Sequence, residues 1–389
     1  MKKVIIYNGL SNIMLELVMW MIYLKQMGWS VGEIALLESV FTICQFLFEF
    51  PTGIISDRLG HKNALLLGET LSILYLITYF FPAQHWLLYV GFVLFALGLA
   101  LISGTDVSLM YESVPEAEKK KFLKYSGYFN MVAIFGMAIS NALGGAIAKY
   151  SWVALFACCI LIRALAFFTA LSINPADFGG DEVEDLQSFK QIWHRFGVFV
   201  RESQAFRWVI LLMCTSSAAV TISHQYGPLM LTKGGLSVAQ AGFIFGLMAL
   251  IAGLILAFLY KITKVIKPLV LSFVLQLGCL VCFGSFLWHQ LSFVLIGLMF
   301  INIAFELWNA IFEAEIQRMS YEGIRATAMS VIYFGESLLM TVGSWTISLF
   351  SRTYSLTSIV GILGSILFLI ALFGLIGYAR ITSRKYEGD

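Results

Sequence analysis

Twelve separate runs of mostly apolar residues govern what this chain can become, because about 20 such residues carry an α-helix across the hydrocarbon of a bilayer. The runs lie near 4–27, 34–56, 63–82, 86–112, 122–149, 151–173, 206–231, 238–262, 267–288, 291–316, 326–350 and 355–379. Several are joined by very few residues, so those neighbours are expected as antiparallel hairpins. Charged residues make up only 12% of the chain, where a soluble domain carries about 25%. The expected class is an all-α, multi-pass membrane protein. The N-terminal run begins like a secretory leader. It is too long for a leader's apolar core, and it contains Glu16. It is expected to remain as the first span.

Lysine and arginine collect on the cytoplasmic side of membrane proteins. With the N-terminus inside, 20 of the 25 basic residues fall in inside segments, Lys25, Lys149, Lys233 and Arg352 fall outside, and Arg163 lies within a span. Both termini are therefore expected in the cytoplasm, which demands an even number of spans. The long inside segment 174–205 opens acidic. It then places Phe189, Ile192, Trp193, Phe196 and Val200 at helical spacing among Lys190, His194, Arg195 and Arg201. That pattern suits a helix lying on the inner leaflet. The segment reads as a linker between a six-helix half at 1–173 and a second at 206–389. Gly28-Trp-Ser-Val precedes the second span and Gly235-Leu-Ser-Val the eighth. Each reads as a turn followed by an N-cap serine. Parallel repeats of this sort belong to transporters with a central site between two pseudo-symmetric bundles.

Between spans two and three stands EFPTGIISDRLGHK, residues 49–62. With the 6+6 layout, the order Gly53-x-x-x-Asp57-Arg58-x-Gly60-His61-Lys62 resembles the signature loop of the major facilitator superfamily. The preceding Glu49-x-Pro51-Thr52-Gly53 is similar to the variant in its tetracycline- and macrolide-efflux branch. The resemblance covers the whole chain and implies the major facilitator fold. It implies that Gly53, Asp57, Arg58, Gly60 and Lys62 form a conformational latch, with Asp57 docking near Arg325. A carboxylate at a helix N-terminus is favourable by up to about 2 kcal/mol, the scale needed for two interconverting states. A second stretch, in span five, resembles the family's antiporter signature through Gly136, Gly144 and Gly145. Ser140 and Asn141 replace its central Gly-Pro. The arginine that the family carries in span four is absent, Leu94 standing in its place.

An ionisable side chain in the middle of a bilayer costs roughly 2.5 kcal/mol or more and usually faces a cavity or a partner. Glu16, Glu49, Asp106, Glu306, Glu313 and Glu336 all fall within the apolar runs, as does His224. Glu306 and Glu313 are seven residues apart and share a helix face. By the resemblance, spans one, four, seven and ten line a central cavity. The cavity would then be acidic and aromatic, with Tyr7, Trp20, Tyr111, Tyr226, Trp308 and Asn309 in it. Such a lining suits an amphipathic cation through charge and cation–π contacts. Arg163 is expected as a structural ion-pair partner. Glu38 and Glu69, near helix ends, are expected at solvated edges, and Glu112 and Glu315 at inner mouths facing basic residues.

The expected function is proton-coupled export of amphipathic, cationic small molecules, drugs included, by alternating access in a bacterial cell membrane. The partners are the solute, protons and the bilayer, and the chain is expected as a monomer. The alternative on the same fold is carriage of a metabolite such as a sugar, a siderophore or a lipid-like molecule. A membrane-embedded enzyme, the reading from another class, needs a nucleophile with a base or a metal-ligand cluster. The five histidines are scattered, no HExxH occurs, the one GxSxG stretch, Gly28 to Gly32, is the turn and cap serine before the second span, and the cysteines fall in apolar runs as small buried hydrophobes. No metal site or cofactor is expected. The chain has no phosphate-binding Gly-x-x-x-x-Gly-Lys loop for ATP, so the proton gradient is the expected fuel. A net charge of +2 gives no reason to expect nucleic acid.

Overall fold

A computed structural model describes residues 2–103, 105, 122–173, 189–320 and 325–386. Fifteen α-helices and no strands occur among these residues. They are α1 (Lys2–Ser11), α2 (Trp20–Gln26), α3 (Val31–Leu59), α4 (His61–Thr78), α5 (His85–Ser103), α6 (Phe122–Ala148), α7 (Trp152–Leu171), α8 (Phe189–Glu202), α9 (Gln204–Lys233), α10 (Val238–Ala257), α11 (Leu259–Val265), α12 (Pro268–Ser285), α13 (Leu291–Met319), α14 (Arg325–Phe350) and α15 (Leu356–Tyr386). A short 3-10 turn, Phe286–Trp288, ends α12.

Among the described residues nine helices are long and apolar enough to cross a membrane. The other three expected spans are helical as well: the first as α1 with α2, the third as α4, and the eleventh as α14. Backbone polar groups in hydrocarbon must be paired within the segment, and an uninterrupted α-helix does this. The first span departs from expectation. It is broken at residues 12–19, where only isolated turn bonds such as Met19 N to Glu16 O at 2.8 Å replace the helical ladder. Glu16 sits inside the break. The eighth expected span is likewise divided at Phe258 into α10 and α11.

Contacts divide the chain into two units, Met1–Asp181 with Gly235–Leu250, and Glu182–Gly234 with Ile251–Asp389. In the first, α5 packs on α3 and α4, while α7 packs on α4 and α1. In the second, α9 is the hub, packing on α13, α14 and α15, and α12 closes against α13 and α15. The amphipathic helix α8 turns its Phe196, 5% exposed, onto Phe206 at the start of α9, with ring centroids 6.1 Å apart. Its apolar side is thus spent in part on protein, where the inner leaflet had been expected.

The repeated Gly-x-Ser-Val has the same local geometry in both places. Gly28 and Gly235 take φ of +95° and +107°, a region that costs a residue with a Cβ. Two residues later the serine caps its helix. Ser30 Oγ accepts from Glu33 N at 3.1 Å, and Glu33 returns a bond to Ser30 N at 2.8 Å. Ser237 and Gln240 repeat the exchange at 3.3 and 2.9 Å. Each is a reciprocal capping box.

Candidate functional site

The first unit holds a buried charge cluster. Glu69 on α4 and Arg163 on α7 form an ion pair at 3.2 Å, with 0% and 2% of the two side chains exposed. Tyr7 and Ser11 of α1 donate to Glu69 Oε1 at 3.0 and 2.8 Å, and Arg163 Nη1 donates to Ser11 Oγ at 3.3 Å. Glu69 was expected at a solvated edge. It lies two turns into α4, where a guanidinium and two hydroxyls meet its carboxylate, the kind of partners a buried carboxylate needs. Glu38 is also buried, at 2% exposure, although an edge had been expected for it too.

Glu16 is 2% exposed. Its carboxylate interacts electrostatically with Arg163 and with the Cys159 thiol. Glu16 Oε2 and Arg163 Nη2 have no hydrogen-bond partner among the described residues. Glu69 thus pairs directly with the guanidinium, and Glu16 feels its charge from beside an unwound stretch of backbone.

The span-five stretch on α6 explains how that backbone is approached. A Cβ on Gly144 would stand 2.1 Å from Leu15 O, and one on Gly145 would stand 2.8 Å from Val238 O. Gly144 therefore seats α6 against the break, and Gly145 seats it against the start of α10. Ser140 turns its hydroxyl back onto Gly136 O at 2.7 Å, and Asn141 O lies 2.5 Å from where a Cβ on Gly242 would be. These residues act as a close-packing surface, the general use of small residues between membrane helices.

In the second unit, Glu336 on α14 accepts from Thr221 Oγ1 on α9 at 2.8 Å. Two glycines bring the helices this close: a Cβ on Gly335 would meet Cys214 Sγ at 2.5 Å, and one on Gly343 would meet Ile222 Cδ1 at 2.5 Å. Tyr226 OH donates to Ser344 Oγ at 3.4 Å across the same pair of helices. Pro228 lies inside α9 and has no N–H for the carbonyl of His224, four residues earlier. His224 itself is half-buried, as are Glu306, Asn309 and Glu313 on α13. Asn309 Nδ2 donates to Glu313 Oε1 at 2.8 Å. Trp308, on the other side of α13, is fully buried against Phe305, with ring centroids 5.2 Å apart. Tyr7, Trp20 and Tyr226 are buried as well.

Asp106 lies outside the described residues, as do Tyr111, Glu112 and the side chains of Glu49, Asp57, Arg58 and Arg325. Of the 49–62 loop, Gly60 separates α3 from α4 at φ +79°. Lys62 Nζ donates to Leu171 O and Ile173 O at 2.6 and 2.7 Å, and Lys3 Nζ donates to Ser172 O at 2.6 Å. Both lysines thereby cap the C-terminal carbonyls of α7, where a cation is favoured. Glu315 pairs with Arg318 at 2.7 Å, one of the two outcomes the sequence left open for it.

An all-helical, multi-spanning architecture, with a buried charge cluster in the first unit and half-buried carboxylates in the second, is that of a multi-pass membrane protein. The family model described as Major Facilitator Superfamily matches residues 4–344, and the chain belongs to that family. It is 24% identical over 251 residues to the uncharacterized MFS-type transporter YxaM of Bacillus subtilis (strain 168), a stretch covering 64% of this chain and 62% of that protein. Among solved structures, the nucleoside transporter NupG aligns with a TM-score of 0.76 at 12% identity, covering 98% of each chain. The D-xylose-proton symporter aligns with a TM-score of 0.72 at 14% identity, covering 95% of each. At these identities the likeness is one of fold, and it supports the two-bundle, twelve-helix arrangement. The chain is a transporter of this superfamily rather than an enzyme.

Proposed function

We propose that the chain is a proton-coupled secondary transporter that exports small amphipathic cations across the cell membrane by alternating access. One observation carries this reading. The carboxylates Glu306, Glu313 and Glu336 lie on membrane helices, and among the described residues none has a cation within ion-pair distance. The polar contacts of two of them are neutral, Thr221 for Glu336 and Asn309 for Glu313. A carboxylate in this setting is relieved by a proton or by a bound cation. If both compete for one group, uptake of one releases the other, and antiport follows without further parts. The same hydroxyl and amide groups, Thr221 and Asn309, also suit a polyhydroxylated metabolite, which is the second reading. In both, the loop carrying Asp57 serves as the conformational latch.

The test is a reconstitution in liposomes with an internal pH dye and an imposed proton gradient. Lipophilic cations, sugars and nucleosides are added singly, to wild type and to Glu306→Gln. A cation that collapses the gradient in wild type and not in the variant supports cation antiport. Gradient collapse by a neutral solute alone assigns the chain to metabolite carriage, and no response to any solute rejects proton coupling.

A further inference from the structure

Away from the carboxylates, the N-terminal end of α12 and the C-terminal ends of α13 and α15 enclose a cleft of about 630 Å³ within the second unit. Its lining is two-faced. Leu269, Ile311 and Phe312 supply apolar walls, while Lys267, Ser272, Glu315, Arg318, Tyr378 and Thr382 stand among them. Most of the polar groups already have protein partners. Ser272 Oγ donates to Pro268 O at 2.9 Å, Thr382 Oγ1 to Tyr378 O at 3.1 Å, and Tyr378 OH to Glu315 Oε1 at 2.7 Å. Arg318 pairs with Glu315 yet keeps 74% of its side chain exposed. Lys267 is exposed and has no ion-pair partner among the described residues. The cleft therefore presents two cations against one anion, and its outward-facing polar groups are cationic.

The surroundings specify where the cleft opens. Val270, Val274, Leu277 and Val281 recur at helical spacing along one side of α12 and are all about half exposed or more. In a membrane protein such a stripe faces acyl chains. Just before α12 stand the basic residues Lys261, Lys264 and Lys267, all exposed, on the side that the basic-residue count assigns to the cytoplasm. The cleft thus sits where apolar surface gives way to a cationic edge. A free anion has use for the lysine and the arginine but none for the apolar walls.

We propose that this cleft is a binding site for an anionic phospholipid of the inner leaflet, with its phosphate between Lys267 and Arg318 and an acyl chain against Leu269, Ile311 and Phe312. Basic pockets between membrane helices on the cytoplasmic side are suited to such headgroups. The proposal is independent of the transported solute and of proton coupling.

The test uses the full chain purified in a neutral detergent, with thermal stability as the readout. Short-chain phosphatidylglycerol, short-chain phosphatidylcholine and inorganic phosphate are titrated separately. Phosphatidylglycerol is expected to raise Tm in wild type, and the other two are not. Lys267→Gln, an exposed position that leaves the Glu315–Arg318 pair intact, is expected to lose most of the shift. Lys261→Gln, outside the cleft in the same basic stretch, is expected to keep it. Equal shifts with the two lipids overturn a headgroup site, and an equal shift with phosphate overturns the lipid. An undiminished phosphatidylglycerol shift in Lys267→Gln removes the cleft from the explanation.

Discussion

The pair Glu69–Arg163 shows what a single side chain can and cannot disclose in advance. Arg163 stood out in the sequence as the one basic residue inside a span, and an ion-pair role was the natural reading. Its partner did not stand out, because the two residues are 94 positions apart and no local pattern joins helices four and seven. Breaking a buried pair by removing one partner leaves a bare charge and costs about 3–5 kcal/mol, whereas replacing both by apolar residues of similar volume is often neutral. Glu69→Leu and Arg163→Met alone are therefore each expected to lower Tm sharply in detergent. The double variant is expected to regain most of the loss. If the double variant is as unstable as the worse single one, the pair contributes more than charge cancellation, and its bonds to Tyr7 and Ser11 become the cause to examine.

At the scale of the helix, the twelve apolar segments were legible because length and hydropathy are local properties. The capping boxes at Ser30 and Ser237 were legible as far as turn and cap, since a glycine two residues before a serine is a local signal. The break in the first span was not. A broken and an unbroken helix have the same hydropathy, and what packs on the break lies on another element: Gly144 of α6 sits against the carbonyl of Leu15. The span-five glycines therefore carry a graded prediction. Gly144→Ala places a Cβ 2.1 Å from a backbone oxygen, whereas Gly136→Ala meets nothing nearer than 3.6 Å. Overpacking of a rigid contact costs about 1–3 kcal/mol. Gly144→Ala is expected to lower both Tm and transport rate, and Gly136→Ala to leave both near wild type. Equal behaviour of the two variants would show that the stretch acts through something other than close approach. Ser237→Ala, which removes one cap, is expected to cost about 1 kcal/mol and to leave the transported solute unchanged.

For the molecule as a whole, the basic residues make a claim that helix packing does not. Packing within a bundle is indifferent to which face meets the cytoplasm, because turning the molecule over in the membrane preserves every internal contact. The distribution of lysine and arginine is not indifferent, and the 20-to-4 imbalance is spread over every inside segment rather than gathered at one loop. Losing one or two charges should therefore leave the orientation intact, since each loop repeats the instruction of the others. Epitope tags at the two ends are expected to be reached by antibody only after cells are permeabilised, and a tag between Phe81 and His85 is expected to be reached in intact cells. Lys2→Gln with Lys3→Gln is expected to change neither result. A C-terminal tag reached in intact cells would reverse the second half. It would also set Lys261, Lys264 and Lys267 against the outer leaflet, so the lipid site and the topology stand or fall on the same charges.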